Sequence, residues 1–270
     1  MRTKRKTQDR GQNTSRRSQF ILNIGNIGVH TKEVICMTDE KTKASLLVKQ
    51  EMYLEAGIHI GTKIRTYDMK EFVFKRRDDG LYILDLRKTD ERLLVAAKIL
   101  SKVTKPEDIL VVASRTYSSN AASKFAALTG VQLLKGRFIP GTMTNLAYKG
   151  FREPKLILVC DPKGEREAIA ESAKNGVPVI ALCDTDNETK FIDWIVPLNN
   201  KGKRSLALIF FILTRELMVS QGKIASYDEF KYDLGYFEHM EDLEEKAKPV
   251  QVPAEPVQPA VQEGQKVVSS

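Results

Sequence analysis

From about residue 80 to residue 222, short apolar runs alternate with longer stretches in which apolar positions recur every three or four residues. The short runs cover 81–86, 109–113, 131–134, 156–160, 177–183 and 194–196; they are rich in Val, Ile and Leu and bounded by Asp, Gly or Pro. That pattern predicts strands. Their apolarity is nearly continuous, so both faces must be covered, as in a parallel sheet sandwiched by helices. The longer stretches predict those helices. Thr89 is placed to cap one with Leu93, Leu94, Ala97 and Leu100 facing inward and Arg92, Lys98 and Lys102 outward. Ser118 is placed to cap a second, with Ala121, Phe125 and Leu128 on its inner stripe and Gly130 as its stop. A third spans about 164–174, with Glu165 and Glu167 in its first turn and Asn175-Gly176 at its end. The last starts near Ser205 and ends at Gly222; its first two turns are apolar all round, so it should be wedged in the core. Repeated strand-helix-strand units with right-handed crossovers give an α/β fold: a three-layer, doubly wound, mostly parallel sheet of the Rossmann or flavodoxin kind.

Composition sets the limits of that domain. Of 270 residues, 42% are apolar and 29% charged, which suits one globular domain with attached tails. The expected division is a flexible basic extension over 1–43, a globular domain over 44–235 and a disordered tail rich in Pro, Glu, Gln and Val over 236–270. For the amino-terminal arm two further readings stay open: an organelle-targeting peptide, and a chain whose functional start is Met37. The longest uninterrupted apolar run, 206–213, is far shorter than a membrane span needs. Cys36, Cys160 and Cys183 are widely spaced, and the last two sit in apolar runs, as reduced packing cysteines of a cytoplasmic protein do. Repeats of 20 to 50 residues are absent, which argues against a solenoid.

The net charge of +8 suggests a polyanionic partner, but its location weakens that suggestion. Residues 1–36 carry eight bases against two acids, and residues 240–270 carry three against six. Residues 37–239 hold 32 bases against 27 acids, an excess of only five. Bulk charge therefore proves nothing about nucleic acid.

In an open parallel sheet, ligands bind beyond the carboxyl ends of the strands. The residues there are Asp85, Ser114-Arg115, Lys135-Gly136-Arg137, Asp161 and Asp184-Thr185-Asp186-Asn187. Asp161, Asp184 and Asp186 could hold Mg²⁺ for phosphoryl or glycosyl transfer, whereas turn formation and helix capping explain the same residues without any ligand. No dinucleotide fingerprint, Walker loop, nucleophile elbow or metal-type Cys/His spacing occurs. Gly25-Asn26-Ile27-Gly28 imitates a phosphate-clamping loop but lacks the flanking helices of one. His30, His59 and His239 lie far from one another in sequence, and His59 suits a buried, hydrogen-bonded imidazole. Neither a catalytic residue, nor a metal ligand, nor a cofactor follows. What remains are basic and polar clusters on loops: Lys63 and Arg65; Lys75, Arg76 and Arg77; Arg115 and Tyr117; Lys135, Arg137 and Asn145; Lys201, Lys203 and Arg204. Each alone is an ordinary solvated face, but several on one rim make an RNA footprint. The start of the last helix, with Lys203 and Arg204 beside its backbone donors, is a candidate phosphate seat.

Particular strings then become decisive. Residues 54–63, from Leu54-Glu55-Ala56-Gly57 to Gly61-Thr62-Lys63, precede an aromatic Phe72-Val73-Phe74 and then Asp79-Gly80-Leu81-Tyr82-Ile83-Leu84-Asp85-Leu86. Gly136-Arg137-Phe138-Ile139-Pro140-Gly141-Thr142-Met143-Thr144-Asn145 follows, then Glu153-Pro154, then Pro178 through Cys183-Asp184-Thr185-Asp186-Asn187, and last Pro197-Leu198-Asn199-Asn200-Lys201-Gly202. This ordered set, spanning about 50–222, resembles the S-two family of small-subunit ribosomal proteins. The resemblance implies a Rossmann-like domain docked on small-subunit rRNA, near the ribosomal protein S-five, with no enzyme activity, cofactor, membrane or small-molecule substrate, and a place on the cytoplasmic small ribosomal subunit. It also implies that Asp184, Asp186 and Asn187 shape a strand-end turn. Only residues 146–152 separate Thr144-Asn145 from Glu153-Pro154, where bacterial members insert a long helical hairpin, and the tail lacks the acidic, Trp-rich extension of animal members. The chain resembles the archaeal type, although the arm before Met37 departs from it.

Overall fold

The computed structural model describes residues 46–224 and 227–239; the expected basic arm over 1–43 and residues 240–270 of the expected tail lie outside them. Helix α1 (Gln50–Glu55) leads to strand β1 (Val73–Arg76) and strand β2 (Tyr82–Leu84). Then come α2 (Leu86–Ser101), β3 (Ile109–Ala113), α3 (Thr116–Thr129), β4 (Gln132–Lys135), β5 (Leu156–Val159), α4 (Arg166–Asn175), β6 (Val179–Cys183), β7 (Trp194–Pro197), α5 (Lys203–Ser220) and α6 (Leu234–Glu238).

Five strands form one parallel sheet in the order β4-β3-β5-β6-β7. The near-continuous apolarity of these strands is explained by two cores, one on each face. Val111, Ala113, Leu158, Cys160, Ile180, Leu182 and Val196 point into the core shared with α2, α3 and α5. Leu110, Val112, Ile157, Val159, Val179, Ala181 and Cys183 point the other way, onto Ala168 and Ile169 of α4 and onto Phe138 and Met143. The doubly wound α/β fold expected from the pattern is thus the fold observed.

Residues 81–86 do not join that sheet. They supply β2, which pairs antiparallel with β1 in a separate two-stranded ribbon. The connection decides this: the two strands are joined by a short turn through Asp78, Asp79 and Gly80, whose φ of 85° needs glycine. So short a link can close a hairpin but cannot make the crossover that parallel pairing requires.

Helix starts also differ from the sequence expectation. Asp85, not Thr89, caps α2: its carboxylate accepts the Arg87 N–H at 3.0 Å. Thr89 is buried inside the helix, its hydroxyl donating to the Pro197 carbonyl at 2.8 Å. Ser118 likewise lies within α3, donating to the Arg115 carbonyl at 2.9 Å. Glu165 precedes α4 rather than lying in its first turn. Gly130 and Gly176 end α3 and α4 in the left-handed conformation, as expected.

Helix α5 lies in the first core, where Ser205 to Phe210 are all buried and the Phe210 ring sits 5.5 Å from that of Phe125 on α3. Helix α6 crosses the expected boundary at 235/236, and Phe237 is buried against Phe211 of α5. Because the five strands are parallel, the loops after β3, β4, β5, β6 and β7 gather on one edge. The chain leaves β3 toward β4 on one side and re-enters at β5 on the other, so the topological switch point lies between the loops after β3 and β5.

Candidate nucleic-acid interface

At the switch point the protein fills the crevice with its own groups. The Glu165 carboxylate accepts the Ser114 N–H at 2.7 Å, the Ser114 hydroxyl at 2.9 Å and the Cys160 N–H at 3.0 Å. Burial pushes this carboxyl up to about 7, against the pull of the donors from Ser114 and Asp161. Buried Asp161 receives the Arg115 guanidinium through Nε at 2.7 Å and an Nη at 2.6 Å. One strand further, Lys201 bridges Asp184 at 3.2 Å and Asp186 at 2.9 Å, and Lys163 approaches Asp186 at 3.4 Å. Burial raises the Asp184 carboxyl in spite of Lys201. Asp186 is also pushed up by burial, but Lys201 and Lys163 outweigh that and hold it below the usual carboxylate range.

The three carboxylates of the transferase reading are therefore each engaged by a cation of the chain itself. Among the described residues no group of three or more His, Cys, Asp and Glu side chains is arranged to hold a metal ion. Asn187 accepts the Asp184 N–H at 2.6 Å and Asp184 accepts the Thr185 N–H at 2.6 Å, which makes this stretch a self-satisfied strand-end turn. His59 is partly buried, and desolvation pushes its imidazole below the ordinary value against the pull of a backbone hydrogen bond with Tyr53.

The structure brings most of the basic residues named from sequence to this edge. Arg115 and Tyr117 follow β3, Lys135 ends β4 and Arg137 follows it, and Lys201, Lys203 and Arg204 follow β7. Lys63 and Arg65 arrive on a segment laid across the end of β6: the Thr62 N–H donates to Thr185 Oγ1 and the Thr66 N–H to the Thr185 carbonyl, both at 2.9 Å. Gly61 permits this approach, since a Cβ there would meet Thr185 Cγ2 at 2.5 Å. Lys75, Arg76 and Arg77 belong to the ribbon and join the rim through Tyr82, whose ring centroid is 5.2 Å from the Arg65 guanidinium and 5.6 Å from that of Arg76.

These cations fall into two groups. Arg115 and Lys201 are tied to buried carboxylates, Arg77 pairs with Asp79 at 2.7 Å, and Arg204 stands 3.8 Å from Glu238. Lys63, Arg65, Lys75, Arg76, Lys135, Arg137 and Lys203 are exposed and form no ion pair among the described residues. At the start of α5 the Asn199 side chain accepts the N–H groups of Lys201 and Gly202, while Gly202 supplies no side-chain cap.

Asn145 is not brought to the rim. Its loop is fastened to α4, where Glu171 accepts from the N–H groups of Gly141 and Met143 and the Thr144 hydroxyl at 2.6 Å, and Asn175 donates to the Met143 carbonyl at 2.7 Å. From there it returns toward Lys155, which pairs with Asp108 at the amino end of β3. Glu165 and Glu171, which organise the crevice and this loop, went unread as site residues. An acid among the inward positions of α4, as Glu171 is beside Ala168 and Ser172, was the available signal.

With this geometry in place, comparison with known proteins is specific. The family model "Ribosomal protein S2" matches residues 53–150 and 147–219. A protein of Thermoplasma acidophilum called "Small ribosomal subunit protein uS2" is 49% identical over 193 residues, covering 72% of this chain and 96% of its own. A protein of the same name from Picrophilus torridus is 49% identical with the same coverage. One from Methanococcus maripaludis is 44% identical over 216 residues, 80% of this chain and 92% of its own.

Proposed function

The chain belongs to the ribosomal protein S2 family, and from that premise we propose that the carboxyl-end rim of its parallel sheet is the surface that grips small-subunit rRNA. The family makes the protein a non-enzymatic structural constituent of the small ribosomal subunit, acting in translation beside rRNA and neighbouring ribosomal proteins. Its relatives here are archaeal, which agrees with the short passage from Asn145 to Glu153.

One observation supports the rim above all: Lys63, Arg65, Lys135, Arg137 and Lys203 stand exposed around one edge without an ion-pair partner among the described residues. Cations of this kind suit phosphate and sugar contacts, which read the shape of RNA more than its sequence. The N–H groups opening α5 add a partial positive charge beside Lys203. Arg115 and Lys201 have a different task, because the carboxylates they neutralise hold the strand ends together.

Affinity for a small-subunit rRNA fragment should fall with salt along a log-log slope on the order of −4 to −8, as several phosphates are neutralised. Filter binding from low to moderate salt measures it. A salt-independent affinity, or absence of the protein from purified small subunits, would sink the proposal.

A further inference from the structure

We infer that the surface around Tyr82 is a stacking platform for unpaired RNA nucleotides, distinct in chemistry from the phosphate-gripping rim beside it. The inference rests on the RNA-binding reading above and names the kind of RNA that this part of the surface takes. Two chain segments converge here. The segment 62–68 carries Lys63, Ile64, Arg65 and Tyr67, and β1 carries Phe74, Lys75 and Arg76. The Tyr82 ring joins them, with the Arg65 guanidinium 5.2 Å from its centroid and that of Arg76 at 5.6 Å. Both arginines are exposed, and a guanidinium is a flat cation on which a base can stack.

The same two segments carry large apolar side chains with no place in the core: Tyr67 is 88% exposed and Phe74 is 69% exposed. The exposure of Phe74 follows from the backbone. Val73 pairs with Leu84 and Lys75 with Ile83, so Phe74 is the extra residue of a bulge, and bulges re-aim side chains. Its neighbours Phe72 and Val73 pack on the second core while Phe74 does not.

The occupant follows from the mixture of groups. Each segment sets one exposed aromatic side chain close in sequence to lysine and arginine, and that combination complements a strand whose bases offer π-faces and whose backbone offers phosphates. A double helix hides its base faces, so it would use the cations and leave Tyr67 and Phe74 idle. A protein neighbour would need acids opposite Lys63, Arg65, Lys75 and Arg76 together with an apolar centre, a more demanding match than one nucleotide strand supplies.

The test uses the full chain with two probes: a single-stranded oligoribonucleotide of about ten nucleotides carrying 2-aminopurine, whose fluorescence is quenched by stacking, and a blunt RNA duplex of the same length. The wild type should bind the single strand with quenching. Tyr67→Ala combined with Phe74→Ala should weaken single-strand binding roughly ten-fold or more and abolish the quenching, with duplex affinity unchanged. Both side chains are solvent-exposed, so the fold is kept. Arg65→Lys with Arg76→Lys keeps the charge and removes the planes; a several-fold loss for the single strand alone supports stacking. Equal single-strand affinity in wild type and both double variants, binding without quenching, or equal losses for strand and duplex would each overturn the inference. So would variants that enter small subunits poorly yet bind the strand normally, which assigns the patch to a protein neighbour. If the rRNA fragment keeps its steep salt slope while the platform test is negative, only the platform falls. If the slope itself is absent, the rim reading has failed.

Discussion

Glu165 shows how much a single buried side chain decides at the end of this sheet. Two of its acceptor contacts are to Ser114 and another is to the Cys160 N–H, so it joins the loops after β3 and β5. Burial raises its carboxyl to about 7 from an ordinary value of 4.5. The sign follows from linkage: below 4.5 the group is neutral in both states, and between 4.5 and 7 the unfolded chain ionises first. Its contribution to stability is therefore fully present at low pH and lost as pH rises through that window, by on the order of 3 kcal/mol at most. Urea unfolding at several pH values should show this loss, superposed on other groups, and Glu165→Gln should flatten the profile between pH 5 and 7 relative to the wild type. An unchanged profile in the variant would mean that the carboxyl titrates normally. Sequence placed Glu165 in a first helical turn for its charge; the fold instead uses it as an acceptor.

Among elements, the contact of segment 61–66 with β2 and the β6 end does most to assemble the rim. Gly61 donates its N–H to the Tyr82 carbonyl at 2.9 Å, and a Cβ there would lie 3.0 Å from that same oxygen. Backbone cannot yield as a flexible side chain can. Gly61→Ala should therefore destabilise the protein by about 2 kcal/mol, read as a lower urea midpoint at unchanged slope. Stability within about 0.5 kcal/mol of the wild type would show that the segment shifts freely. The motif containing Gly61 was visible in the sequence as part of the family resemblance, but the reason for its glycine was not, because Thr185 is 124 positions away. The ribbon was hidden for a related reason: an apolar run such as 81–86 reads alike in a sheet centre and in a hairpin.

At the scale of the whole molecule, the division of rim cations into exposed and engaged sets gives two phenotypes. Lys135→Ala with Arg137→Ala should flatten the salt slope of rRNA binding by about two and leave stability unchanged, since neither has an ion pair among the described residues. Lys201→Ala should instead cost about 2 kcal/mol of stability, because it leaves Asp184 buried without its cation. Parallel salt titrations and urea curves separate the two; equal effects of both variants on the salt slope would refute the division. Net charge could not have made this distinction, since it counts an engaged lysine like any other.

The sequence by itself determined the α/β class, five of the six strands as members of the parallel sheet, the central burial of α5 and the family. Those features are written in local periodicity and in contiguous motifs, and neither depends on knowing which distant residues meet. Tertiary structure alone decided which cations face outward and which are bound to Asp161, Asp184 and Asp186, and that Asn145 lies away from the rim. It also decided that residues 81–86 leave the sheet for a ribbon whose Tyr82 joins Arg65 to Arg76. Each of these is a pairing between residues far apart in the chain, where the energy of a charge depends on what is brought beside it and on how little water remains there.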